Sequence, residues 1–343
     1  MHPALRRVVD HIGLSSDALV RFIDLIPSDR RALELEVVRV RASERPLGEV
    51  HRAFQASVDH QPSPVSWRRL HHLEGLALDA LPDAFDTVRL SPLLPLGATT
   101  ATGGTAPDLV LATTRDREVL SDPAVALALL AAARRADSLA DIHLATTARS
   151  VRMQPLKSAN HTRHFAMFAM ASLFRAGARS AAPLDLHLNA LLGTLAGVPG
   201  VGSVTVRFSD MGWLRRHLRT AGLCDDAFAE RPDRLAERVG HLPRHTLDVP
   251  DSPVLRALAR EWVPVLQNSH PNVVFGYDPG RIQACGYYRG LCFNIWVDGL
   301  PWGPTSIADG GLLDWGARLL NHGKERLLTS GLGLELLGHL TEA

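Results

Sequence analysis

The hydrophobic and polar positions of this chain alternate between helical and extended periods without a regular helix–strand rhythm. Residues 1–45 predict two short helices followed by a strand. Ser15, Ser16 and Asp17 can cap the second helix, and Leu19, Phe22, Ile23 and Ile26 give it an apolar face. The run 33–41 (LELEVVRVR) alternates apolar and charged residues, the pattern of a half-buried strand. A helix over 46–60, a two-proline breaker at 61–64 and a helix over 66–81 follow. Short strands are predicted at 86–90, 109–113, 142–146 and 151–153. Ser121, Asp122 and Pro123 open a helix over 124–135, a cap followed by proline in the first turn. Residues 164–173 (HFAMFAMASL) are apolar enough for a central strand. Beyond them lie a helix at 184–195, a strand at 203–208, a charged helical insertion at about 211–247 and an amphipathic helix over 254–267. Strands at 273–277, 286–297 and 327–330 and a helix at 334–340 complete the pattern. Short strands mixed with helices argue for an α+β fold on an antiparallel sheet over a doubly wound parallel one.

Composition narrows the function classes. The 343 residues make one large domain or two ordinary ones. Lys and Arg number 37 against 36 Asp and Glu, a formal net charge of +1, so no global basic field supports non-specific nucleic-acid binding. Three scattered cysteines, Cys224, Cys285 and Cys292, with no CxxC pair, point to a reducing, cytoplasmic setting. The first residues lack an apolar signal segment, and the longest apolar run, 124–133, is about half a membrane span, so no membrane partner is expected.

Local chemical signatures are sparse. GxGxxG, GxxxxGK[ST] and GxSxG are absent. His71 and His72 diverge on a helix, and His161 and His164 have no cysteine or carboxylate nearby, so no metal site is expected. Cys285 and Cys292, an odd number of residues apart, are expected on opposite faces of one strand as small buried apolar residues. The C-terminal third is richer. Tyr287 and Tyr288 on a strand place one ring on each face. Gly310 and Gly311 allow a tight turn or close approach to a ligand, and Gly331 and Gly333 let a flat group lie against a strand.

The order of these segments resembles the core of the class II aminoacyl-tRNA synthetases. The resemblance is specifically to histidyl-tRNA synthetase and its paralogue, the regulatory subunit of ATP phosphoribosyltransferase. The family's RGLDYYTGxVFE, GGRYD and GLGLERL correspond to QACGYYRGLCFN, GGLLD and GLGLELL here. Upstream, 86–96 (DTVRLSPLLPL) resembles motif 1, and 109–126 the strand and helix written LRPExT. Residues 151–177 resemble motif 2, with VRMQ in place of FRYE and RHF in place of REF. The resemblance covers about residues 65–343 and leaves 1–64 as an N-terminal helical and strand extension. It implies a class II synthetase-like antiparallel sheet of about six strands flanked by helices, and a homodimer through residues around 66–96. No anticodon-binding segment follows the motif 3-like helix, which implies that tRNA is not charged.

Mapped onto this chain, the motif 2 arginine is Arg152. The catalytic arginine before the tyrosine pair falls on Gln283, that of GGRYD on Leu312 and that of motif 3 on Leu336. A planar, permanently charged guanidinium suits a transferring phosphoryl group, and loss of one such contact costs about 3 kcal/mol of transition-state stabilisation. Three losses imply a degraded ATP site. Arg281, Arg289 and Arg326 are the neighbouring cations that could replace them. The positions that read histidine fall near Met167 and Ala171. The catalytic positions are therefore Arg152 and Gln283. The expected ligand-binding residues are Arg163, Met167, Ala171, Tyr287, Tyr288, Gly310, Gly311, Asp314, Gly331 and Gly333. The resemblance implies a regulatory or ligand-binding subunit with a small-molecule ligand and a partner enzyme. The alternative is a repurposed ligase that adenylates a carboxylic or amino acid and transfers it to an amine or carrier, with ATP and Mg as its cofactors.

Overall fold

The computed structural model describes residues 3–136, 140–155, 162–177, 182–223, 235 and 246–340. They divide into two compact units, Met1–Gln61 with Ala112–Arg117, and Pro62–Leu111 with Glu118–Ala343.

The smaller unit holds helices α1 (Pro3–His11), α2 (Ser16–Ile23), α3 (Pro27–Ser43) and α4 (Leu47–Ala56). Ser15 caps α2, its hydroxyl accepting from the Ala18 N–H at 3.1 Å. The strand expected at 33–41 is instead the middle of α3. No side chain of α3 is buried, so the two-residue alternation has no buried face to serve. Helix-specific features decide the conformation: proline in the first turn, Asp29 near the N-terminus, Arg41 near the C-terminus and an Arg30–Glu34 pair one turn apart at 3.9 Å. Asp116 receives Arg31 at 2.8 Å and Arg30 at 3.2 Å. The hydrogen bond from Arg31 is the chief cause that holds its carboxyl below the usual range.

The larger unit is built on an eight-stranded sheet. Its strands are β1 (Asp86–Thr87), β2 (Ile142–Val151), β3 (His164–Arg175), β4 (Val204–Asp210), β5 (Val273–Tyr277), β6 (Leu291–Val297), β7 (Thr305–Leu313) and β8 (Glu325–Gly333). The spatial order is β1-β2-β3-β8-β7-β6-β4-β5. The six inner strands are antiparallel, as expected. A parallel strand is added on each edge, β1 beside β2 and β5 beside β4. Helices α5 (Trp67–Asp79), α8 (Ala182–Ala196), α10 (Pro253–Glu261), α11 (Val263–Ser269) and α13 (Leu334–Gly338) supply the core on one face. Helices α7 (Pro123–Arg135) and α9 (Met211–Thr220), with Trp315 at the start of α12 (Trp315–Leu319), supply it on the other. β3 is apolar on both faces because both are covered: Ala166, Phe168 and Met170 join the first cluster, and Ala169, Ala171 and Leu173 the second.

Four local differences from the sequence expectation have simple causes. The helix expected over 254–267 breaks at Trp262, because Pro264 lies in the first turn of α11 and cannot donate to the preceding turn. The strand expected from 286 starts at Leu291, and 285–287 form a turn. Of 109–113 only Ala112–Thr113 is a paired strand, because Pro107–Leu109 is a 3-10 turn. Most of the charged insertion beyond α9, and Cys224 and His161 with it, lies outside the described residues.

Beneath α8, polar groups cross the core. His187 Nε2 and Nδ1 each lie 2.8 Å from a serine hydroxyl, those of Ser172 and Ser330, and Ser172 Oγ is 2.7 Å from His143 Nδ1. Burial pushes the His187 imidazole down to about 3. The unfolded chain therefore takes up a proton near the ordinary 6.5 that the folded chain refuses until about 3. Stability should rise with pH across this window, by at most about 1.4 kcal/mol per pH unit from this group. Denaturant titrations at several pH values should show a shallower slope for His187→Gln than for the parent. Equal slopes would assign the acid sensitivity to other groups.

Candidate functional site

The sheet face under α7 is covered only as far as the helix extends. Where α7 begins, Met167 and Ala169 of β3, Thr329 and Gly331 of β8 and Asp309 of β7 are left as the floor of a cavity of about 330 Å³. The walls come from the start of α7 and from the segment before β6. Asp122 caps α7, Oδ1 accepting the Ala124 N–H at 3.0 Å. Its Oδ2 accepts the Tyr287 hydroxyl, also at 3.0 Å. Burial raises the Tyr287 phenol well above its ordinary range, so it stays a donor. The ring is fixed edge-on against Tyr288 at 4.9 Å and Trp315 at 5.2 Å. Thr99, at the start of α6 (Ala98–Gly103), also lines the cavity. It is tied to buried Glu118, whose carboxylate accepts the N–H groups of Gly97 and Thr99, each at 2.8 Å, and the Thr99 hydroxyl at 2.6 Å.

Two guanidinium groups reach this space. Arg152 Nε donates to the Ser121 carbonyl at 2.9 Å, and the group lies over the Phe165 ring at 5.2 Å. Arg281 is buried. It donates to the Phe293 carbonyl at 2.8 Å and to Asp309 Oδ2 at 3.0 Å. The cavity thus presents two carboxylates and two guanidinium groups on separate elements, each held by protein partners. Such a lining suits a small molecule that carries both signs of charge.

Two further cavities adjoin. The second, about 630 Å³, shares Arg152, Met167, Asp309 and Gly331 with the first and runs over Gly333, Leu336 and His339. The third, about 590 Å³, shares Gln283 and Tyr287 with the first and contains Arg289, Asp314 and Arg318.

Of the residues expected from sequence, Arg152, Met167, Gln283, Tyr287, Tyr288 and Gly331 meet at the first cavity. Gly333 lines the second and Asp314 the third. The other four line none of the three. Arg163 donates to the carbonyls of Met153 and Gln154 at 2.9 and 2.8 Å, and so holds backbone. Ala171 is fully buried in the layer beneath α7. Gly310 and Gly311 are in the middle of β7, not in a turn. A Cβ on Gly310 would stand 2.6 Å from the Phe293 ring, and one on Gly311 2.4 Å from Cys292 Cβ. These two glycines make room for neighbouring side chains rather than for a ligand.

The tyrosine pair also differs from expectation. Both rings precede β6 and touch each other on the same side of the sheet. Cys285 likewise lies before the strand and shares an apolar cluster with Cys292. Burial pushes both thiols up, Cys292 to about 12, away from the thiolate form that a nucleophile needs. Among the candidate replacement arginines only Arg281 enters the first cavity. Arg326 donates to the carbonyls of Gly323 and Glu325. The sequence reading did not identify Asp122 and Asp309 as lining residues. Asp122 was visible only as a helix cap, and Asp309 carried no signal. No group of three or more His, Cys, Asp or Glu among the described residues could hold a metal ion. No described helix is long and apolar enough to cross a membrane.

This architecture recurs in solved structures. One is the ATP phosphoribosyltransferase regulatory subunit/histidyl-tRNA synthetase from Bacillus halodurans, with a TM-score of 0.58 and 14% identity over 83% of this chain and 82% of that one. The histidyl-tRNA synthetase of Nostoc sp. PCC 7120 gives 0.59 and 14% over 82% and 73%. The histidine–tRNA ligase subunit of Alicyclobacillus acidocaldarius gives 0.57 and 14% over 82% and 94%. The fold is class II synthetase-like. At this identity the likeness concerns the fold alone, and neither a family model nor a curated protein matches the chain.

A class II synthetase-like fold raises the question of ATP. The second cavity contains Leu336, the position where the resemblance puts the motif 3 arginine, and its described lining does not fit a triphosphate. Leu336 and Ile307 are apolar, and Arg152 is its one guanidinium among the described residues. Glu335 adds a buried carboxylate, which accepts the Ala166 N–H at 3.0 Å and pairs with Arg149 at 3.6 Å. No phosphoryl-transfer step follows from these groups.

The glycines give a direct test of packing against ligand contact. Gly311→Ala should lower stability by about 1–3 kcal/mol through overpacking against Cys292. Gly331→Ala meets the flexible end of Met167 at 3.1 Å and the Phe168 carbonyl at an ordinary 3.8 Å, and should cost less. Denaturant midpoints measure both, and the reverse order would contradict this packing.

Proposed function

We propose that this class II synthetase-like chain binds a small zwitterionic molecule, of the α-amino acid class, in the first cavity, and acts as a ligand-sensing or regulatory subunit without charging tRNA. The observation that carries this reading is the pairing of a placed guanidinium, Arg152, with the carboxylates of Asp122 and Asp309 around 330 Å³. Arg152 suits the ligand carboxylate, and Asp122 and Asp309 suit the ammonium group. The replacement of three family arginines by Gln283, Leu312 and Leu336 argues against ordinary adenylation. The solved structures of like fold include an ATP phosphoribosyltransferase regulatory subunit/histidyl-tRNA synthetase, which supports a partner enzyme. A homodimer through residues around 66–96 belongs to the same reading, as does a cytoplasmic setting, to which the free thiols of Cys285 and Cys292 lend support.

A thermal-shift panel of the twenty amino acids should yield at least one that raises the melting temperature by a few degrees at millimolar concentration. Arg152→Gln should weaken that ligand by about tenfold or more, because a charged hydrogen bond is lost. ATP–pyrophosphate exchange with magnesium and a broad panel of acids should stay at background. Exchange above background with any acid would replace the sensing role with that of an adenylating ligase.

A further inference from the structure

The third cavity has a charge balance that the first does not. At its wall Asp314 accepts Arg289 Nε at 3.1 Å and lies 3.6 Å from Arg318 Nη1. Arg318 is anchored to the backbone of α6, donating to the Thr102 carbonyl at 3.2 Å and to the Ala101 carbonyl at 2.5 Å. Among the described residues, two guanidinium groups against one carboxylate leave a surplus positive charge. Arg289 uses only its Nε on Asp314. Its two terminal nitrogens have no hydrogen-bond partner among the described residues. A guanidinium with terminal N–H groups to spare, lining a cavity, suits a carboxylate.

This cavity adjoins the first. Gln283, an exposed side chain, and Tyr287 line both. The Tyr287 hydroxyl is held by Asp122 and its ring by Tyr288 and Trp315, so the boundary has a fixed apolar edge. The neighbouring space is larger, about 590 Å³ against 330 Å³, and Arg289 and Arg318 are among its lining residues.

We propose that the first and third cavities form one extended site for an α-amino acid whose chain passes Gln283 and Tyr287 and ends in a carboxylate on Arg289 and Arg318. This rests on the reading of the first cavity as an α-amino acid site. The methylenes pack along the Tyr287 ring, and the terminal carboxylate meets the surplus charge beside Asp314. Asp314, expected from sequence as a ligand contact, acts instead by orienting the two arginines.

Isothermal titration of the full chain with glutamate, 2-aminoadipate and 2-aminopimelate, and with norleucine as the uncharged control, tests this. Affinity should rise along the dicarboxylate series as the second carboxylate comes within reach of Arg289. The longest member should bind about tenfold or more tightly than norleucine. Arg289→Gln should bring that ratio close to one, and Arg318→Gln, the second variant should the first not fold, should reduce it. Equal affinities for 2-aminopimelate and norleucine would overturn the extended site and leave the first-cavity reading standing. So would silence from all four compounds with a hit elsewhere among the twenty amino acids. Silence throughout would overturn both. A ratio unchanged in both arginine variants would place the second carboxylate elsewhere and overturn the assignment.

Discussion

The site depends on one carboxylate that does two jobs. The first turn of a helix leaves backbone N–H groups without intrahelical acceptors. At α7 Asp122 supplies one acceptor with Oδ1 and takes the Tyr287 hydroxyl with Oδ2. The end of the helix and the wall of the cavity are therefore the same residue. Ala171 and Leu173 lie in the layer packed with α7, whereas Met167 and Ala169, on the same face of β3, line the cavity. Glu118 acts in a similar way for α6: buried, it gathers the N–H groups of Gly97 and Thr99 and fixes the loop that closes the other side.

Three adjoining spaces share residues but differ in charge. The first balances Arg152 and Arg281 against Asp122 and Asp309. The second pairs an apolar wall with a buried glutamate. The third has an excess of arginine. The fold is class II synthetase-like, and the described lining of these spaces differs in charge from one to the next.

Much of this was legible in the sequence, and what was missed has a common cause. The central strand β3 was visible because HFAMFAMASL is apolar at nearly every position, which only a strand covered on both faces needs. The start of α7 was visible because a cap and a first-turn proline are local signals. The stretch 33–41 was misread because alternation reports a strand only when one face is buried, and α3 buries neither. Arg163, Ala171, Gly310 and Gly311 were assigned to a ligand by position in a motif. What they touch depends on partners distant in the chain: Phe293 and Cys292 for the glycines, the extent of α7 for Ala171. Asp309 was invisible for the same reason, since its role arises only when β7 brings it opposite Arg281.

The sheet order carries a consequence for how the molecule is assembled. Strands β1, β2 and β3 form one half of the sheet, and β7, β6, β4 and β5 the other. β8 alone joins them, paired with β3 on one side and β7 on the other. It is also the last of the eight strands in chain order. Without it, β3 and β7 would each be left as an unpaired edge, the kind of surface that templates association between chains. Closing the sheet then requires a contact between segments far apart in sequence, which is slow because loop-closure entropy is lost before the contact forms. In the native sheet the two halves are thus held together through a single strand. Gly331, which lines the cavity floor, arrives with that strand, so the site cannot exist in any partly folded form that lacks it.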